Sequence, residues 1–129
     1  MTYRQGRRQR TMARAERILV VEDDPIVAAN LAAMLADLGF GSVFLAHDLA
    51  TGWALLLSKL PGLGILDVNL GGQLVFPLAL ELRARRIPII FSTRRAPTEF
   101  PTEWTVHPIL PKPLEARTLA AALGGLGLR

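Results

Sequence analysis

No cysteine occurs among the 129 residues. Disulfides, thiolate nucleophiles and cysteine-based zinc sites are therefore excluded, and secretion gains no support. No apolar run approaches the roughly 18 residues that a membrane-spanning helix needs, and the N-terminus lacks the apolar stretch of a signal peptide. Lysine is scarce: Lys59 and Lys112 are the whole supply. The two histidines, His47 and His107, read as a loop and a strand-edge residue rather than metal ligands. Half the residues are apolar, which marks a globular chain of about one domain, and no internal repeat or second domain is visible.

The formal charge of +4 is unevenly spread. Six arginines (4, 7, 8, 10, 14 and 17) against Glu16 give the first 17 residues +5, and the remaining 112 carry −1. Residues 1–16 are therefore expected to be a flexible Arg-rich tail and 17–129 the domain. Met12, which opens MARAERILVVEDD, marks an alternative start. A nucleic-acid-binding arm is the competing reading of the tail, and it predicts steeply salt-dependent binding. With no apolar periodicity to fold it, the plain leader is preferred, and neither nucleic acid nor membrane is expected as a partner.

From residue 17 onward, short apolar runs alternate with helical stretches. ILVV (18–21) predicts a strand buried on both faces. Asp24-Pro25 predicts a helix start, with an acid as cap and proline in the first turn. Ile26, Ala29, Met34 and Leu38 are expected along one face, and Gly39 ends the helix. SVFLA (42–46) predicts a second strand. Asp48 caps a helix carrying Leu49, Trp53, Leu56 and Leu60, stopped by Pro61-Gly62. LGILDV (63–68) is a third strand, LGGQL a loop, and a helix runs from Phe76 to Arg86. IPIIFST (87–93) is a fourth strand. RRAPTEFPTEW has no helical stripe longer than a turn, so the helix due there is short or disordered. TVHPIL (105–110) predicts a fifth strand, demoted to an edge by Pro108. Pro113-Leu114-Glu115 opens a last helix with Leu114, Leu119 and Leu123 inward, stopped by Gly124-Gly125. Strands alternating with helices predict an α/β fold: a doubly wound, five-stranded parallel sheet with helices on both faces.

In such open sheets, ligands sit beyond the carboxyl ends of the strands. Those ends offer Glu22, Asp23 and Asp24 on the first strand, Asp67 and Asn69 on the third, Ser92 and Thr93 on the fourth, and Lys112 on the fifth. Clustered acids call for a hard cation such as Mg²⁺, which takes carboxylates, waters and phosphate oxygens. A lysine and a hydroxyl suit a phosphoryl group, and a carboxylate can accept one. Mg²⁺-assisted phosphoryl transfer to an aspartate is the chemistry this rim best supports. Asp24 reads as a helix cap rather than a ligand. Ser92 faces away from Thr93 along the strand. Trp53 and Trp104 read as packing.

In combination and in order, VVEDDP, LDVNLGG, PIIFST and PKP make residues 17–124 resemble the receiver domain of two-component response regulators. The phrases LDVNLGGQLVFP and FST further resemble a stand-alone subgroup with an F-A-T-G phrase after strand 4, partnered with a histidine-kinase class common in alphaproteobacteria. The resemblance implies a flavodoxin-like (βα)5 fold with strand order 2-1-3-4-5. It implies that Asp67 accepts the phosphoryl group, that Asp23 and Asp67 ligate Mg²⁺, that Glu22 acts through a water, and that the backbone carbonyl of Asn69 is a further ligand. Thr93, five residues after Pro88, would hydrogen-bond the phosphoryl oxygens. Lys112 would pair with Asp67 or its phosphate, and Pro113 matches a cis Lys-Pro bond. It also implies a cytoplasmic signalling protein rather than an enzyme, and a sensor histidine kinase or phosphotransfer protein as donor. A downstream protein target or a sink or relay role would provide output, and a homodimer is a further expectation.

Three departures stand out. Arg94-Arg95 follow Thr93 where the family has a small residue, so a guanidinium could cover the site or contact phosphate. Ile109 replaces the aromatic ring that often swings inward on activation. The weak fourth helix makes ordering of residues 94–107 the expected response to phosphorylation. The main alternative is a phosphorylation-independent interaction module with a degenerate site. A Mg²⁺ phosphatase with an aspartyl nucleophile is disfavoured, because Asn69 stands where its general acid would be.

Overall fold

The computed structural model describes residues 17–128; the expected tail, 1–16, lies outside them. Strand β1 (Arg17–Val21) leads to α1 (Pro25–Asp37), β2 (Ser42–Ala46), α2 (Leu49–Lys59) and β3 (Leu63–Asp67). A two-stranded hairpin, β4 (Asn69–Leu70) and β5 (Gln73–Leu74), precedes α3 (Phe76–Ala84) and β6 (Ile89–Thr93). Two 3₁₀ turns (Pro97–Glu99 and Thr102–Trp104) then lead to β7 (Ile109–Pro111) and α4 (Ala116–Gly125). The main sheet is ordered β2-β1-β3-β6-β7 and is parallel throughout, the expected 2-1-3-4-5 order when the hairpin is set aside.

Alternation along the strands divides the core into two layers. Leu19, Val21, Leu66, Ile89 and Phe91 face α2, α3 and the 3₁₀ segment, where Leu56, Leu78, Leu82, Phe100 and Trp104 complete the layer. Ile18, Val20, Leu63, Ile65 and Ile90 face α1 and α4, against Leu31, Leu35, Leu119 and Leu123. Helices on both faces leave the C-terminal strand ends as the open rim. The missing fourth helix is replaced by aromatic packing: Phe76 stacks on Trp104 with centroids 5.5 Å apart, and Phe91 meets Phe100 edge-on at 5.4 Å.

The expected caps form. Asp24 Oδ1 accepts from the Ile26 amide at 2.9 Å, and Asp48 Oδ1 from the Thr51 amide at 2.7 Å. Several expectations need correcting. On α1 the buried residues are Ala28, Leu31 and Leu35, whereas Ile26 is 72% exposed. The larger γ-branched pair at i, i+4 fills the space against Ile18 and Val20, so it sets the phase. Leu60 is half exposed and ends α2 in a left-handed conformation. Helix α3 stops at Ala84 rather than Arg86, because Arg86 takes φ +60° and the Ile87 amide turns back to the Leu82 carbonyl. Residues 105–108 are a turn, not strand; β7 begins at Ile109, although the Pro108 carbonyl already accepts from the Phe91 amide. Helix α4 runs through Gly124-Gly125 and ends just before Gly127 at φ +76°.

Candidate functional site

Each acid of the rim arrives at the end of a strand. Glu22 follows β1, and its amide donates to the Ala46 carbonyl of β2. Its own carbonyl lies 3.1 Å from His47 Nδ1. A carbonyl only accepts, so this ring nitrogen carries the proton. Asp67 closes β3, Thr93 closes β6, and Lys112 directly follows β7 and is joined to Pro113 by a cis bond. These residues line one cavity of about 550 Å³ together with Asp23, Asp24, Val27, Asn69, Arg94 and Arg95. Ser92, expected to face away, is absent from the lining, and its hydroxyl is buried without a partner among the described residues.

Oxygens of Glu22, Asp23 and Asp67 lie within 4.8 Å of one another. Such an all-oxygen set of carboxylates is the donor chemistry of a hard divalent cation, and the cluster could hold a metal ion. Lys112 Nζ holds two of the acids together, donating to Glu22 Oε1 and, at 3.0 Å, to Asp67 Oδ2. Burial would lower the lysine's affinity for its proton, but the hydrogen bonds and charges of the two carboxylates outweigh it and raise its pKa. Burial pushes the Glu22 carboxyl up, with the charge of Asp67 adding to it, against the lowering effect of Lys112 and the Asp24 amide.

Among the described residues, Asp67 Oδ1 receives only a long bond, 3.4 Å, from the Asn69 amide. Asn69 Oδ1 accepts from the Gly72 amide at 2.9 Å, which commits its side chain to the hairpin turn rather than to the acids. Thr93 is almost fully buried, and its Oγ1 accepts from the Arg95 amide at 3.1 Å. Its hydroxyl proton is thereby left to be donated elsewhere. The structure thus brings together all six residues singled out in the sequence: Glu22, Asp23, Asp67, Asn69, Thr93 and Lys112.

One contact escaped the sequence reading. Asp23 Oδ2 accepts from the Gly71 amide at 3.2 Å, tying a candidate ligand to the hairpin. The signal was present in Asn69-Leu70-Gly71-Gly72-Gln73-Leu74, where two glycines between short segments spell a hairpin turn. Both adopt positive φ, +60° and +93°, as that turn requires. Ile109 is partly buried against the aromatic layer, in the place where an aromatic switch was noted as missing.

An acid-rimmed, doubly wound sheet with a lysine across two carboxylates has the donor groups that suit phosphoryl groups or metal ions at strand ends. The model of the response regulator receiver domain matches residues 18–124, and the chain belongs to that family, the receiver domain of two-component signalling. Response regulator Rre1 of Synechocystis sp. is 33% identical over 91 residues, covering 67% of this chain and 39% of the relative. The chain thus spans well under half of that relative's length. The solution structure of SdrG from Sphingomonas melonis Fr1 is 34% identical with a TM-score of 0.76, over 85% of this chain and 94% of SdrG. The BeF3-activated conformation of SdrG has the same identity and TM-score, over 89% of this chain and 98% of that one. A CheY-like receiver domain from Methanospirillum hungatei JF-1, 22% identical with a TM-score of 0.72, covers 85% of this chain and 91% of its own and shares the fold. Among the described residues no helix is long and apolar enough to cross a membrane.

Proposed function

We propose that this receiver takes a phosphoryl group onto Asp67 from a sensor histidine kinase or a phosphotransfer protein in a Mg²⁺-dependent reaction. It then signals in the cytoplasm to a downstream protein target or serves as a phosphate sink or relay. The observation that carries this reading is the Lys112 ammonium across Glu22 and Asp67, with Thr93 on the neighbouring strand end. Lys112 occupies Oδ2 of Asp67, which leaves Oδ1 as the freer nucleophile. Oδ1 attacks phosphorus, a P–O bond forms, and the P–N bond to the donor histidine breaks with its electron pair leaving on the imidazole nitrogen. Thr93 donates its hydroxyl proton to a phosphoryl oxygen, and Lys112 follows the new charge. Asp23, Asp67 and the Asn69 carbonyl would hold Mg²⁺, with Glu22 acting through a water, and the ion would supply positive charge to offset the acids and the phosphoryl oxygens.

The test is intact mass after incubation with acetyl phosphate and Mg²⁺. Wild type should gain one phosphoryl group and Asp67→Asn none. Equal labelling of both, or of neither, would instead favour an interaction module that works without phosphorylation of Asp67.

A further inference from the structure

Arg94 and Arg95 both line the cavity that contains Asp67, both are exposed, and neither forms an ion pair among the described residues. Their backbone placement is fixed. Thr93 ends β6, and the Arg95 amide is tied back to Thr93 Oγ1, so both arginines branch from the chain beside the cavity they line. The lining carries four carboxylates (Glu22, Asp23, Asp24 and Asp67) against Lys112, Arg94 and Arg95, a net charge of −1. A divalent cation bound to the acids would turn this to +1. Without the two arginines the same loaded cavity would remain at −1. The pair therefore reverses the sign that an approaching phosphodonor meets.

We propose that Arg94 and Arg95 form an anion-capture site at the mouth of the cavity, which selects small dianionic acyl phosphates as phosphodonors once the metal is bound. This rests on Asp67 being the acceptor. In the step it favours, Asp67 attacks phosphorus, the P–O bond to the acyl group breaks, and the carboxylate leaves with the electron pair. The guanidiniums position the donor through its phosphoryl oxygens, for which their planar fork of N–H donors is suited. The same charges oppose the metal. The pair thus has opposite effects on its two ligands: weaker cation binding and stronger anion capture.

The test compares wild type, Arg94→Ala/Arg95→Ala and Arg94→Lys/Arg95→Lys. Mg²⁺ affinity is measured by calorimetry on chelator-treated protein, and phosphorylation rate constants with acetyl phosphate and with the less anionic phosphoramidate. Unit charges a few ångströms apart in water are worth roughly three- to tenfold per ligand at low ionic strength. The alanine pair should bind Mg²⁺ more tightly by about that factor and react more slowly with acetyl phosphate by about that factor. Phosphoramidate should be affected less, the lysine pair should keep the Mg²⁺ affinity of wild type but fall between wild type and the alanine pair in acetyl phosphate rate, and the differences should collapse at about 0.5 M salt. An unchanged or faster acetyl phosphate rate in the alanine pair would overturn the proposal, the latter because it would mean the arginines cover Asp67. Unchanged Mg²⁺ affinity would overturn it equally. If no donor labels wild type, the acceptor reading fails separately, and Mg²⁺ affinity together with Mg²⁺-dependent binding of inorganic phosphate still decides the charge reversal.

Discussion

Replacing Lys112 by methionine keeps most of the side-chain volume and removes the one ammonium that neutralises Glu22 and Asp67. The three side chains are only 10%, 4% and 11% exposed, so water cannot fully take the lysine's place. At 3.0 Å from Asp67 Oδ2, the gross attraction at an effective dielectric of roughly 20 is about 5 kcal/mol. Leaving a buried charge without its partner costs about 3–5 kcal/mol. The cavity is open on one side, which reduces the loss to about 2–4 kcal/mol. The loss also has a ceiling, because Glu22 can take up a proton instead. From its ordinary value of 4.5, that costs about 4 kcal/mol at pH 7.5. The assay is urea unfolding in EDTA and again in saturating Mg²⁺. Lys112→Met should unfold at markedly lower urea in EDTA and recover more with Mg²⁺ than wild type does, since no ammonium competes for Glu22 and ligand binding adds about 2.7 kcal/mol at a hundred times Kd. Equal stability of the two proteins in EDTA, or the same Mg²⁺ increment for both, would refute the reasoning.

The Asp48 carboxyl is held below its ordinary value by the Thr51 amide. Its contribution is therefore present above the unfolded value of 3.8 and lost as pH falls through the lower folded one; Asp48→Ala should lower Tm more at pH 7 than at pH 2, and a deficit equal at both would count against the cap. Burial, helped by the Arg83 charge, lowers His107, whose ring sits 6.0 Å from Phe91 and 5.9 Å from Trp104. Wild type should lose stability as pH falls below 6.5, because the unfolded chain takes the proton first. His107→Leu should flatten that part of the profile, and an unchanged slope would contradict it. Trp104→Ala should cost about 3–5 kcal/mol by urea titration, as expected for a core aromatic, and should expose residues 94–107 to limited proteolysis. A loss under 1 kcal/mol would mean that the aromatic layer does not hold the segment in place of a helix.

The sheet and its rim were legible in the sequence because parallel βαβ units place every strand's carboxyl end on one edge. Glu22, Asp67, Thr93 and Lys112 each follow or close a short apolar run, so their meeting follows from topology alone. The phase of α1 was not legible. PIVAANLAAMLAD offers several apolar stripes, and only the space beside Ile18 and Val20 selects Leu31 and Leu35. The end of α3 carried no glycine, since Arg86 itself takes the left-handed conformation. The β4–β5 hairpin is too short for any periodicity, and its bond to Asp23 spans 48 residues. TVHPIL has strand composition throughout, but Pro108 has no amide to donate, and the chain turns there instead.

The central claim is that the phosphoryl group resides on Asp67. It is tested most directly by treating protein labelled with acetyl phosphate and Mg²⁺ with borohydride, which reduces an acyl phosphate to the alcohol, and locating the reduced residue by tandem mass spectrometry. Reduction at position 67 alone is the predicted result. Reduction at Glu22 or Asp23, or labelled protein with no reduced residue, would contradict it.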